Sequence, residues 1–164
     1  MPGELLVAER GLDGAIVALC LDAAAGRLTE ITWQPGEALS ARVVALSAPV
    51  IEHPAGVSLA GDDLLLADMD EGLMLISRRN GAGAQLPRSP APAVLTPDGK
   101  AVVSVTGHGG LLSHALTRPD GRPATLDSVR PMLVMDLDGP HSLMLIPGDG
   151  QNRFSLAIGC YGCI

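Results

Sequence analysis

Ala93-Val94-Leu95-Thr96-Pro97-Asp98-Gly99-Lys100-Ala101-Val102-Val103-Ser104-Val105-Thr106-Gly107-His108-Gly109-Gly110 is the stretch on which the fold turns. A short apolar run meets Thr-Pro-Asp-Gly-Lys, and a run of small and β-branched residues follows. Pro97 presets φ for the first corner of a tight turn, and Asp98-Gly99 supplies a position that tolerates positive φ. Apolar runs on both sides of such a turn predict a β-hairpin. Gly-His-Gly-Gly then breaks the second strand.

Outward from this hairpin the same grammar recurs. Upstream lie Leu5–Ala8, Ala15–Leu21 and Arg27–Trp33, the last alternating as a half-buried strand should. Residues 40–51 are apolar and mixed, and read as a strand or two. A helix over 37–46 is the alternative, without an acidic first turn or a glycine stop to support it. Val57–Ala60, Asp63–Ala67 and Leu73–Ile76 follow, then the Asn80-Gly81 turn; downstream come Leu111–Leu116, His141–Pro147 and Phe154–Ile158. Gly14, Gly72 and Gly109 each precede an apolar run, and Gly26, Gly83 and Gly121 follow them by 12, 11 and 12 residues. Ile146-Pro147-Gly148-Asp149-Gly150 repeats the Pro97 turn 50 residues later. A degenerate unit of strand, break, strand, turn is the mark of stacked β repeats, whose sheets bury their faces against neighbours. An ordinary β-sandwich also gives short strands at regular spacing.

Composition narrows the function classes. The chain has 164 residues, 11 Lys+Arg against 18 Asp+Glu, and a net charge of -7. Length and pattern predict a single β-repeat domain over 1–164. The charge argues against nucleic acid and against anionic membrane surfaces as partners. Hydrophobic residues make up 47 % and aromatics 2 %, so the core must be aliphatic. Three cysteines suit no disulfide scaffold. The first residues lack a signal peptide's basic and apolar regions, and no apolar run reaches about 18 residues. The expectation is a soluble, cytoplasmic protein. No Gly-x-Ser-x-Gly elbow, Walker loop or dinucleotide fingerprint occurs, and no cofactor or metal is implied.

Several residues stand out beside plainer readings. Asp68, Asp70 and Glu71 could gather oxygens for Ca²⁺ or Mg²⁺, but a solvated acidic loop accounts for them better. Cys160-x-x-Cys163 has the spacing of half a zinc site or a redox dithiol, at a position where chains fray. Cys20 and the methionines at 69, 74, 132, 135 and 144 read as core. His108 among three glycines is a ligand contact or a hairpin tip. His141 follows a Gly-Pro turn at the head of a strand, as a turn histidine or a general base.

Gly14-Ala-Ile-Val-Ala-Leu-Cys-Leu-Asp22 with Gly26-Arg27-Leu28-Thr29 resembles the strand-turn-strand of the lactonase-type seven-bladed β-propellers, the family of bacterial 6-phosphogluconolactonases. Pro92 to Lys100 resembles that family's Pro-Asp-Gly-Lys blade opening, and Asp138-Gly139-Pro140-His141 its Gly-Pro-Arg-His. The resemblance implies an all-β partial β-propeller of three to four antiparallel four-stranded blades, since the chain is about half a ring long. It implies hydrolysis of a sugar lactone such as 6-phosphogluconolactone, with His141 catalytic. His108 would line the channel, and Arg130 or Arg153 would hold a substrate phosphate. The Arg before His141 and the family's acids after the central strands are missing here. The alternative is therefore a non-catalytic half-ring that binds or assembles, including a homo-oligomer that completes the ring.

Overall fold

The predicted runs become strands. The computed structural model describes residues 4–10, 14–47, 51–52, 54, 56–68, 71–86, 92–106, 110–118, 125–134, 139–147 and 154–160, and among them it contains strands and turns but no helix. The first sheet holds β1 (Glu4–Arg10), β2 (Ile16–Asp22), β3 (Arg27–Trp33) and β4 (Ser40–Ala45). The second holds β5 (Gly56–Ala60), β6 (Asp63–Asp68), β7 (Gly72–Ser77) and β8 (Gly83–Leu86). The third holds β9 (Ala93–Leu95), β10 (Ala101–Val105), β11 (Gly110–Thr117) and β12 (Thr125–Val134). A fourth has two described strands, β13 (Pro140–Pro147) and β14 (Phe154–Cys160). Every pairing is antiparallel between strands consecutive in sequence.

Burial shows how the sheets stack. Leu19, Leu21, Leu28 and Val44 of the first sheet pack against Leu64, Leu66, Met74 and Ile76 of the second. The alternate residues of the second sheet, Leu65, Ala67, Leu73 and Leu75, pack against Leu95, Val102 and Leu116 of the third. The third sheet's other face, with Val94, Val103, Val105 and Leu111, meets Leu143, Leu145, Leu156 and Ile158 of the fourth. The two middle sheets are thus covered on both faces. That is why β6, β7 and β10 read as nearly unbroken apolar runs; β3 does not show the expected alternation, since Leu28 is buried while Ile31 and Trp33 lie on the opposite face. The first strands lie against one another, β1 on β5, β5 on β9 and β9 on β13, so the sheets fan out from a common line. This is a partial β-propeller, with β1, β5, β9 and β13 innermost. A sandwich of two sheets does not describe it.

Polar groups tie neighbouring sheets together. Ser58 Oγ on β5 accepts a buried hydrogen bond from the Leu95 backbone N–H on β9 at 2.8 Å. Two arginines repeat one device. Arg78, just after β7, donates to the Gly61 carbonyl of its own sheet at 2.8 Å and to Glu30 of the preceding sheet at 2.8 and 3.1 Å. Arg118, just after β11, donates to the Gly99 carbonyl at 2.7 Å and to Asp63 of the preceding sheet at 2.6 Å. Gly61 and Gly99 both have positive φ, at 58° and 65°, and both close the first hairpin of their sheet. Gly81 marks a close backbone approach between the first two sheets: its carbonyl accepts from the Ser47 N–H, and a Cβ there would lie 1.9 Å from the Ala45 carbonyl oxygen.

The hairpin at Thr96–Lys100 forms as the sequence predicts, with Gly99 N–H donating to the Thr96 carbonyl at 2.8 Å. Other expectations shift. Residues 40–45 form the outer strand β4 of the first sheet, not a helix. The glycine repeat is out of register by one strand: Gly14 precedes the second strand of its sheet, whereas Gly72 opens the third. Successive hairpins of this chain each carry a glycine, at 14, 26, 36, 61, 72, 81 and 99, so glycine spacing alone does not say which hairpin of the blade is being read. Cys20 is not core; it lies between the buried Leu19 and Leu21, on the opposite face of β2. Met74 is buried, but Met132 and Met144 are exposed; Met69 and Met135 lie outside the described residues.

One buried polar pair sits in the third sheet. Ser104 Oγ on β10 and His114 Nε2 on β11 share a hydrogen bond at 3.0 Å, with both residues buried. Burial holds the His114 imidazole below its ordinary pKa, so the folded protein keeps it neutral.

Three measurements follow from this architecture. Gly81→Ala places a Cβ on positive φ against backbone and costs about 2–4 kcal/mol in urea unfolding, whereas Gly36→Ala, at positive φ but with nothing within 4 Å, costs about 1–2. Arg78→Met lowers stability by about 1–3 kcal/mol, because its ion pair with Glu30 is only 15 % exposed on each side; Arg118→Met, whose pair is more open, costs about 1 or less. For His114 the unfolded chain binds the proton first as pH falls. Its contribution to stability is therefore intact above the unfolded pKa near 6.5 and is lost as pH falls through the lower folded value. His114→Gln keeps a hydrogen-bonding partner for Ser104 and flattens that part of the stability–pH curve; an unchanged slope would rule the group out.

Candidate functional site

The innermost strands of a propeller carry the residues nearest its axis, so the site is sought at their ends. His141 is the second residue of β13, an innermost strand, and it is exposed. The turn before it contains Gly139 with φ at 53°, and Pro140 is buried. That fixes the strand at the point where His141 leaves it. Across the pair, Ser142 faces Gly159 on β14. A Cβ on Gly159 would meet Ser142 Oγ at 2.3 Å and the His141 ring at 3.1 Å, so the glycine makes room for the imidazole.

Strand direction locates this group. Phe154, paired with Pro147 at the end of β13, borders a cavity of about 190 Å³ with Thr96, Pro97, Asp98, Lys100 and Ala101, the turn at the end of β9. β13 and β9 therefore run the same way, and His141 sits at the end where β9 begins, opposite the cavity. The cavity is small for a sugar-sized ligand, since ligand sites usually exceed about 300 Å³. Its carboxylate is already engaged: Asp98 accepts from the Thr96 hydroxyl at 2.7 Å and from the Lys100 N–H at 3.1 Å. The Thr96 bond first and the Lys100 bond second hold its carboxyl below the usual range. Asp98 builds the turn.

The remaining expected site residues do not gather around His141 among the described residues. Arg130 is exposed on β12, the outermost strand of the third sheet and three strand spacings, or roughly 14 Å, from β9. His108 and Arg153 lie outside the described residues, as do Asp70 and Cys163. Asp68 accepts from the Glu71 N–H at 2.9 Å and so shapes its own loop. The Ser104–His114 pair has the donor–acceptor spacing of a nucleophile and base, but Ser104 is fully buried. It is a core contact that sequence reading passed over, because both residues sit inside apolar runs with no motif around them.

No family model matches the chain, and no curated protein matches it in sequence. Solved structures do resemble it. One is that of a Bacteroides uniformis protein provisionally described as a 6-phosphogluconolactonase, with a TM-score of 0.52 and 18 % identity, over 96 % of this chain and 48 % of that one. The chain thus spans about half the length of that protein. At this identity the likeness shows the fold, and it agrees with the stacked, fanned sheets described above.

Proposed function

We propose that this chain is a lactonase-like hydrolase acting on a sugar lactone, with 6-phosphogluconolactone the leading substrate and the cytoplasm its setting. The observation that carries the reading is His141, exposed at the head of an innermost strand in a fold shared with a protein described as a lactonase. A neutral imidazole there takes a proton from water as the water oxygen attacks the lactone carbonyl carbon. The tetrahedral adduct collapses with cleavage of the ring C–O bond. The imidazolium returns its proton to the departing alkoxide, and the product is the open hydroxy acid. In this reading His108 lines the approach and Arg153 pairs with a substrate phosphate. Arg130, on an outermost strand, suits that last task less well.

The exposed apolar faces of the two end sheets favour a second reading, in which the chain is an assembly module without catalysis.

Hydrolysis of gluconolactone and of its 6-phosphate separates the two. The intact chain is expected to exceed the spontaneous rate, and His141→Ala to lose about 10²–10⁴-fold in kcat. Equal rates for chain and variant would remove His141 from the mechanism. A chain no faster than the uncatalysed reaction leaves the assembly reading standing.

A further inference from the structure

Neighbouring residues of a strand point to opposite faces, so an imidazole and the hydroxyl of the next residue should not meet. At the head of β13 they do. Pairing slips by one residue between Pro140 and Ser142, which sets Pro140, His141 and Ser142 opposite Gly159 and Cys160. Such a bulge re-aims side chains. Its result is read at Gly159: a Cβ there would lie 2.3 Å from Ser142 Oγ, 3.1 Å from His141 Cε1 and 3.4 Å from His141 Nε2. The hydroxyl and the ring therefore converge on one spot, over a residue with no side chain to fill it. Both His141 and Ser142 are exposed, so a ligand can reach that spot. In the Ser104–His114 pair, by contrast, both residues are buried.

We propose that Ser142 is a second catalytic residue of this site: its hydroxyl donates a hydrogen bond to the lactone carbonyl oxygen while His141 draws the proton from water. The assignment rests on the hydrolase reading of His141 given above. When the water oxygen attacks, the carbonyl π pair moves onto oxygen, and the negative charge that develops there needs a donor already in place. Ser142 supplies one O–H and keeps its proton. The C=O bond re-forms as the ring C–O bond breaks, and the hydrogen bond weakens again. Base and donor must both lie near the reacting carbon. Their convergence over Gly159 provides that. Gly159 is then a positioning residue, since a side chain there would displace the hydroxyl and the ring together.

Steady-state hydrolysis of 6-phosphogluconolactone by the intact chain and its variants tests this. Ser142→Ala should lower kcat by about 10²-fold, with KM changed by less than about threefold, because the bond is made in the transition state. Ser142→Thr keeps a hydroxyl and should recover at least about tenfold of that loss. The site is exposed, so the urea midpoint of both variants should match that of the unmodified chain. Ser142→Ala as active as the unmodified chain would overturn the proposal and leave the role of His141 standing. So would Ser142→Thr no better than Ser142→Ala, since the loss would not then lie in the hydroxyl. A covalent ester on Ser142, seen by mass spectrometry of acid-quenched turnover, would also overturn it, by making the serine the attacking group. An unmodified chain no faster than the spontaneous reaction would end the hydrolase reading and this assignment together.

Discussion

A sheet with two apolar faces has to be covered twice, and this molecule is organised by that requirement. Leu64, Leu66, Met74 and Ile76 point one way from the second sheet, and Leu65, Ala67, Leu73 and Leu75 point the other. Neither set can reach water without losing roughly 1.5–3 kcal/mol for each large side chain. The first and third sheets are therefore held in place by the second, and the fourth by the third. The near-absence of aromatic residues fits this geometry. Thin aliphatic layers of Leu, Val, Ile and Ala fill the space between sheets about 10 Å apart without the bulk of a ring.

Apolar layers say little about how far one sheet turns relative to the next, and the polar links supply that. Arg78 and Arg118 each grip a turn carbonyl in their own sheet and a carboxylate in the sheet before. A planar guanidinium with several fixed donors suits such a three-point contact. Gly81 works alongside them: with no Cβ, it lets the end of β4 lie directly on the turn before β8. The first sheet has no arginine just after its third strand, where Gln34 stands.

How much of this was legible in the sequence depends on which force wrote it. Turn chemistry wrote the hairpins, and Thr96–Lys100 reads correctly because Pro97 fixes φ and Gly99 permits the positive φ the turn needs. Two-sided burial wrote β6, β7 and β10, whose nearly unbroken apolar runs announce strands inside a stack. Register within the blade was not legible, because every hairpin offers a glycine, and so Gly14 and Gly72 appear equivalent when they sit before different strands. Cys20 and Met144 misled for a related reason. Their surroundings are apolar in sequence, but strand alternation sends them to faces that no described sheet covers. Of the candidate site, His141 was legible through its Gly-Pro turn; the Ser104–His114 pair was not, since it depends on a diagonal contact between neighbouring strands.

The two readings of function converge on one geometric point. His141 lies at the head of an innermost strand, and four fanned sheets border their axis on one side only. General-base chemistry gains from an enclosed site, where water is limited and charge is less screened. A channel walled on all sides needs sheets beyond the four described. The bare faces at the two ends of the stack are the places where such sheets would join. Under the proposed hydrolysis, whatever covers those faces would also wall the space around His141, so cover and catalysis would be linked.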